Sequence, residues 1–130
     1  MAHYLDTSAL VKLVVAEDET AALRAWLGAE ERLPVACDLS RAELMRAVRR
    51  AGPDRVVRAR EVLDSIALLD LPTPLFEDAG RLDPTMLRTL DAIHLAAALD
   101  LGDDLQAIVT YDDRLAEAAR SNGVAVLSPS

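Results

Sequence analysis

Four acidic residues, widely separated along the chain, could together bind a metal ion. They are Asp6, Glu43, Asp91 and Asp112. Carboxylates that share a partly dry crevice repel one another and are costly to desolvate, so they keep their protons or bind a cation. We expect no lysine, cysteine or histidine among them, and oxygen ligands alone favour Mg²⁺ or Mn²⁺ over Zn²⁺. Such a site suits phosphodiester hydrolysis, in which the cation lowers the pKa of an attacking water and neutralises charge on the phosphate.

Short apolar segments that alternate with helical patterns must position these acids. The patterns predict strands at residues 3–5, 33–36, 67–71, 107–109 and 124–127. They predict helices at residues 8–15, 20–29, 40–51, 54–65, 74–82, 85–101 and 113–120. Because parallel strands need crossover connections, this order predicts an α/β fold, a three-layer α/β/α sandwich around a small, mostly parallel sheet.

The predicted elements bring the four acids toward one edge of that sheet. Asp6 follows the first strand directly, and Asp112 follows the fourth strand closely. Glu43 lies in the first turn of the helix after the second strand, and Asp91 shares the inner face of a long apolar helix. In folds of this kind the working crevice lies beyond the carboxyl ends of the strands. We therefore expect the acids to converge there.

Three of the acids also have a purely structural interpretation. Glu43 follows Ser40 by three residues, a spacing that matches a capping box. Asp112, together with Asp113, could cap the helix that follows, and Asp6 could cap the first helix.

An acid on the apolar face of a buried helix needs a partner or a metal, so Asp91 is the hardest of the four to explain structurally. His94, on the same helix, is interpreted as a buried core residue. Asp38 and Asp70 also end predicted strands and compete for a place in the site.

Composition limits the class of protein. A chain of 130 residues is one domain's worth of polypeptide, and we expect a single domain over residues 1–130. A net charge of -8 argues against nucleic-acid binding driven by bulk charge, although binding at a specific site remains possible. One cysteine cannot form a disulfide framework, and no apolar run reaches the roughly 20 residues of a membrane span. We expect a cytoplasmic protein with no membrane segment.

A cluster of arginines stands out on this acidic chain. Seven arginines fall within residues 41–60. They could follow an RNA backbone, since guanidinium groups bind phosphate bidentately, or they could form a solvated helical face paired with neighbouring acids.

Four ordered blocks of the sequence resemble one known family. They are YLDTSALVKL at residues 4–13, SRAEL at 40–44, LDAIHLAAA at 90–98 and VTYDDRL at 109–115. Together they resemble the PIN-domain ribonucleases, specifically the VapC toxins of toxin–antitoxin pairs. The resemblance covers nearly the whole chain, and its blocks stand in the order of that family.

The resemblance carries several implications about structure and function. It implies a divalent-metal-dependent endoribonuclease with Asp6, Glu43, Asp91 and Asp112 as the acidic site, supported through hydrogen bonds by Ser8 and Thr110. It further implies a VapB-like antitoxin as partner and a homodimer. The chain departs from the family's pattern at Asp113, which leaves the fourth acid open between two adjacent residues. The alternative to an RNA-cleaving toxin is an inactive PIN-like module that binds RNA or a partner protein.

Overall fold

Five short strands form a single parallel sheet. The computed structural model describes residues 1–130. The strands are β1 (Ala2–Leu5), β2 (Leu33–Cys37), β3 (Ala67–Leu69), β4 (Leu105–Val109) and β5 (Val126–Leu127). They are hydrogen-bonded in the order β3-β2-β1-β4-β5, and every pairing is parallel. The N-terminal strand therefore occupies the centre of the sheet.

Helices connect the strands. They are α1 (Thr7–Val14), α2 (Thr20–Ala29), α3 (Leu39–Val48), α4 (Pro53–Asp64), α5 (Thr73–Gly80), α6 (Thr89–Leu99) and α7 (Asp113–Ser121). Two short 3₁₀ turns follow α3 and α6, at Arg49–Ala51 and Gly102–Asp104. Gly52 separates the first of these turns from α4 with a φ of 109°, a conformation that favours glycine.

Alternate residues of the central strands belong to two different cores. Tyr4 of β1 and Ile108 of β4 pack into a core with residues of α5, α6 and α7. Leu5 and Val109, one position further along the same strands, pack into a second core with residues of α1, α3 and α4. Since successive side chains of a strand point to opposite faces, the sheet lies between two helical layers. The predicted α/β/α sandwich is confirmed.

The structure differs from the sequence prediction at some element boundaries. The helix predicted from residue 85 begins at Thr89 instead, because the backbone N–H of Leu87 bonds to the carbonyl of Pro84 in a turn and Arg88 is extended. The predicted helix over residues 40–51 begins one residue earlier and ends in the 3₁₀ turn Arg49–Ala51. The last strand is shorter than predicted. Both helices whose starts differ from the prediction carry a candidate acid, Glu43 on α3 and Asp91 on α6.

None of the helices has both the length and the apolar character that a bilayer crossing requires.

Candidate active site

Asp6 lies at the carboxyl end of β1, where it caps α1. Its side chain is buried, with the residue 4% exposed. One carboxylate oxygen accepts hydrogen bonds from the Ser8 hydroxyl at 2.6 Å and the Ala9 amide at 3.1 Å, and the other accepts from the Thr110 hydroxyl at 2.6 Å. Burial raises the pKa of Asp6, and these hydrogen bonds oppose the rise. Asp6 is thus both a helix cap and a buried carboxylate.

The Ser8 and Thr110 hydroxyls, which donate to Asp6, also fix the backbone after β4. The Ser8 hydroxyl accepts from the Tyr111 amide at 2.9 Å, and the Thr110 hydroxyl accepts from the Asp112 amide at 3.1 Å. Both side chains that the resemblance assigned to support therefore contact Asp6. They tie the ends of the two central strands together.

Asp112 and its neighbour Asp113 have different surroundings. Asp112 is half-buried, and its Oδ1 accepts from the Leu115 amide at 3.0 Å as the N-cap of α7. The side chain of Asp113 is exposed and makes no hydrogen bond. Asp112 is therefore the better placed of the two to join a site with Asp6.

Asp91 occupies the first turn of α6, and 19% of its side chain is exposed. Its nearest cation is Arg88, whose Nε lies 3.7 Å from Oδ2. Burial raises the pKa of Asp91, and repulsion by Asp112 and Asp6 raises it further, while Arg88 and His94 oppose the rise. Asp91 is therefore repelled by the carboxylates of both Asp112 and Asp6.

Glu43 projects from α3 and shares a cleft of about 330 Å³ with Asp91. Its Oε1 accepts from the Thr7 hydroxyl at 2.7 Å and also contacts Nε2 of His94. Burial would raise the pKa of Glu43, but the contacts with His94 and Thr7 outweigh it and lower the pKa.

The capping box, one of the two interpretations of Glu43 that the sequence left open, does not form at the start of α3. Since α3 begins at Leu39, Ser40 lies inside the helix, and its buried hydroxyl has no hydrogen-bond partner. Glu43 instead contacts residues from α1 and α6, so the structural interpretation of this acid is wrong.

His94 is buried, as interpreted from the sequence, but it also contacts one of the acids. Its side chain is 3% exposed, and Nδ1 lies 2.7 Å from the Tyr4 hydroxyl. Burial lowers the pKa of His94, but contacts with Cys37 and Glu43 outweigh it and raise the pKa to about 10. The expectation that no histidine lies among the acids is therefore wrong at Glu43, because α6 turns this ring toward α3.

The two competing acids lie outside the cluster. Asp38 forms an ion pair with Arg41 at 3.0 Å on the surface, and Asp70 is exposed.

The donor set of the cluster consists of carboxylate and hydroxyl oxygens, which suits a hard divalent cation. Mutual repulsion at Asp91 is the kind of strain that a bound cation relieves. No group of three or more His, Cys, Asp or Glu side chains is close enough to form a metal cluster as the side chains stand. The donor types therefore fit a divalent cation, although the carboxylates stand farther apart than the ligands of a bound ion.

Comparison with known proteins agrees with this architecture. The PIN domain family model matches residues 3–121. The chain belongs to the PIN-domain family. Ribonuclease VapC46 of Mycobacterium tuberculosis is 48% identical to this PIN domain over 130 residues, which cover 99% of this chain and 98% of that protein. The resemblance to VapC toxins drawn from the four blocks is therefore confirmed.

Two solved structures share the fold of this PIN domain. One is Mycobacterium tuberculosis VapC20, described as a sarcin-ricin loop cleaving toxin, with a TM-score of 0.77, 19% identity and coverage of 98% of this chain and 99% of that one. The other is VapBC2 from Rickettsia felis bound to a DNA fragment from its promoter, with a TM-score of 0.69, 15% identity and full coverage of both chains. At these identities the likeness concerns the fold alone.

Proposed function

We propose that this PIN domain is the toxin of a toxin–antitoxin pair and acts as a metal-dependent endoribonuclease. Two observations support the proposal: Asp6 and Asp112 follow the neighbouring strands β1 and β4, and the carboxylates of both repel Asp91 at the start of α6. A full-length relative named a ribonuclease, 48% identical, supports the same activity. The alternative is an inactive PIN-like module that binds RNA or a partner protein.

In the proposed mechanism Asp6, Asp91 and Asp112 would hold Mg²⁺ or Mn²⁺, and Glu43 would join them or orient the attacking water. The ion would supply a water of lowered pKa and neutralise charge on the phosphate. Ser8 and Thr110 keep the Asp6 carboxylate oriented through their 2.6 Å hydrogen bonds. Attack of water on phosphorus would form a P–O bond and break the bond from phosphorus to the 3′-oxygen, which takes up a proton, so the products would carry a 5′-phosphate and a 3′-hydroxyl.

Exposed arginines on α3, the turn after it and α4 support an RNA substrate. All seven arginines of residues 41–60 are exposed. Arg41 pairs with Asp38 and Arg58 with Glu61, so a solvated, paired face describes only these two. The five without an ion pair are available to phosphate groups; they are Arg46, Arg49, Arg50, Arg55 and Arg60.

We also propose the assembly and location of the protein. The partner is a VapB-like antitoxin, in line with the fold shared with the VapBC2 structure. The active form is a homodimer of single PIN domains over residues 1–130, and the protein works in the cytoplasm.

Replacement of single acids tests the proposed activity. Asp6→Asn and Asp91→Asn should each lower RNA cleavage about 100-fold or more, because each removes a ligand charge worth several kcal/mol in the transition state. EDTA should abolish cleavage by the wild type, and added Mg²⁺ or Mn²⁺ should restore it. Asp100→Asn, at the exposed opposite end of α6, is the matched control and should cleave normally. Undiminished cleavage by both site variants and in EDTA would exclude the proposal, whereas RNA binding without cleavage by the wild type would favour the inactive module.

A further inference from the structure

The two oxygens of the Glu43 carboxylate have different surroundings. Oε1 receives both of the side chain's contacts, one from the Thr7 hydroxyl and one from Nε2 of His94. Oε2 takes part in no hydrogen bond, and Glu43 lines the same cleft as Asp91. One oxygen is therefore anchored, while the other is free to meet a ligand.

The contact with Glu43 determines which ring nitrogen of His94 carries a hydrogen, because a carboxylate oxygen can only accept and Nε2 must therefore donate to Oε1. The Tyr4 hydroxyl lies 2.7 Å from Nδ1, and burial raises the pKa of Tyr4 well above its usual value, so the phenol keeps its proton. In a neutral ring, Nδ1 accepts from this hydroxyl and the hydrogen is on Nε2. In a charged ring both nitrogens carry hydrogens. Nε2 thus donates to Glu43 in either state.

The surroundings of His94 hold the ring still. Tyr4 belongs to the central strand and is fully buried, and the Sγ atom of buried Cys37 lies 3.9 Å from Nδ1. The remaining partner of Glu43, Thr7, is only half-buried. A hydroxyl can rotate, whereas an imidazole ring fixed at both nitrogens cannot.

We propose that His94 is a positioning residue, which donates from Nε2 to Oε1 of Glu43 and thereby presents Oε2 to the reacting centre. The inference rests on the proposed ribonuclease function. It adds a member to the site, since a buried tyrosine, a histidine and a glutamate from three separate elements form one chain of contacts, Tyr4 to His94 to Glu43. An outer partner of this kind changes activity by about 10- to 100-fold when it is removed.

Two amide substitutions at position 94 test this role. In His94→Gln the amide nitrogen reaches about as far as Nε2 and can donate to Glu43, whereas in His94→Asn it reaches only as far as Nδ1. We expect His94→Asn to lower kcat about 10- to 100-fold with KM for RNA within about twofold, and His94→Gln to restore kcat to within about threefold of the wild type. Thermal melting identifies which variants are folded. Equal kcat values for the Gln and Asn variants would overturn the proposal.

A spectroscopic measurement tests the contact without activity. Long-range ¹H–¹⁵N spectra of the metal-free wild type should show a hydrogen on Nε2 of His94, with His3, the only other histidine, as internal reference. A bare Nε2 would overturn the proposal even if no variant at position 94 folds.

Asp91→Asn, measured alongside, separates the two proposals. If Asp91→Asn cleaves RNA as fast as the wild type, the proposed function fails. If it is inactive while the two position-94 variants are equal, only the role of His94 fails.

Discussion

At the scale of residues, burial separates two adjacent aspartates that the sequence leaves equivalent. Asp112 is half-buried and caps α7, whereas Asp113 is exposed. The Thr110 hydroxyl, which donates to Asp6, also accepts from the Asp112 amide and so fixes the direction in which the chain leaves β4. The capping role of Asp112 occupies only one of its two carboxylate oxygens.

We expect the two aspartates to differ in their effect on catalysis. Asp112→Asn should lower kcat for RNA cleavage about 100-fold, since it removes a charge from the proposed cation site. Asp113→Asn should change kcat less than about threefold, because its side chain is exposed and makes no hydrogen bond in the cluster. The measurement is single-turnover cleavage at saturating Mg²⁺. A larger loss in Asp113→Asn than in Asp112→Asn would assign the fourth acid to Asp113 instead.

The environment of Asp91 lowers the stability of the folded protein at neutral pH. Its folded-state pKa is raised by burial and by Asp112, so its ionised form is less stable in the folded protein than in the unfolded chain. Below a pH of about 3.8, the pKa of Asp91 in the unfolded chain, the protonated side chain contributes fully to the stability of the folded protein. This contribution disappears as the pH rises through the folded-state pKa.

Asp91→Asn should therefore stabilise the metal-free protein at neutral pH. We expect a higher Tm than that of the wild type at pH 7 and no increase below pH 3.8. Added Mg²⁺ should raise the Tm of the wild type and leave that of the variant nearly unchanged, because a ligand stabilises only the state that binds it. A variant that melts below the wild type at pH 7 would contradict repulsion at Asp91.

The sequence predicts residues on one element better than contacts between elements. Helical periodicity indicated that Asp91 faces inward, and only 19% of its side chain is exposed. The contact between Glu43 and His94 joins residues 51 positions apart on α3 and α6, and no local pattern indicates how two helices approach each other.

At the scale of elements, the start of α3 decides what Ser40 and Glu43 can do. A shift of one residue in the helix start places Ser40 inside the helix, where its hydroxyl is buried and unpaired. The S-x-x-E pattern therefore indicates a cap only if the serine is also the first non-helical residue, which depends on the packing of α3 against α1 and α4.

The effect of Ser40→Ala on stability distinguishes a serine buried inside the helix from a serine that caps it. Ser40→Ala should raise the free energy of unfolding by about 1 kcal/mol, because it removes an unsatisfied buried hydroxyl and introduces a better helix former. A true cap would instead lose about 1 kcal/mol on the same substitution. Urea denaturation with an unchanged m-value measures the difference. Thr73→Ala, at the start of α5, serves as a comparison in an exposed helix turn.

At the scale of the whole molecule, the distribution of charge is uneven. The chain carries a net charge of -8, yet residues 41–60 present seven exposed arginines. The alternation of strands and helices was enough to predict the layered fold, because it requires crossover connections. The position of the first strand at the centre of the sheet depends on which strands pair over long distances, and the sequence pattern did not indicate it.

Local arginines, rather than net charge, should govern the binding of RNA. We expect the double substitution Arg46→Gln and Arg50→Gln to raise KM for RNA several-fold without lowering kcat. It should also reduce the salt dependence of KM, because a protein that makes fewer phosphate contacts releases fewer counterions from the RNA when it binds. Arg120→Gln, at the exposed end of α7, is the control and should leave both unchanged. An unchanged salt dependence in the double variant would favour a purely solvated arginine face.

The pairing of β1 with β4 has a consequence for synthesis on the ribosome. Asp6 is synthesised before Thr110, whose hydroxyl orients it and which lies 104 residues later in the chain. A nascent chain that has not emerged beyond that point has neither the neighbouring strand nor the last acid. We therefore expect truncated translation products to be harmless to the cell's own RNA, because activity begins only after Thr110 and Asp112 have left the ribosome.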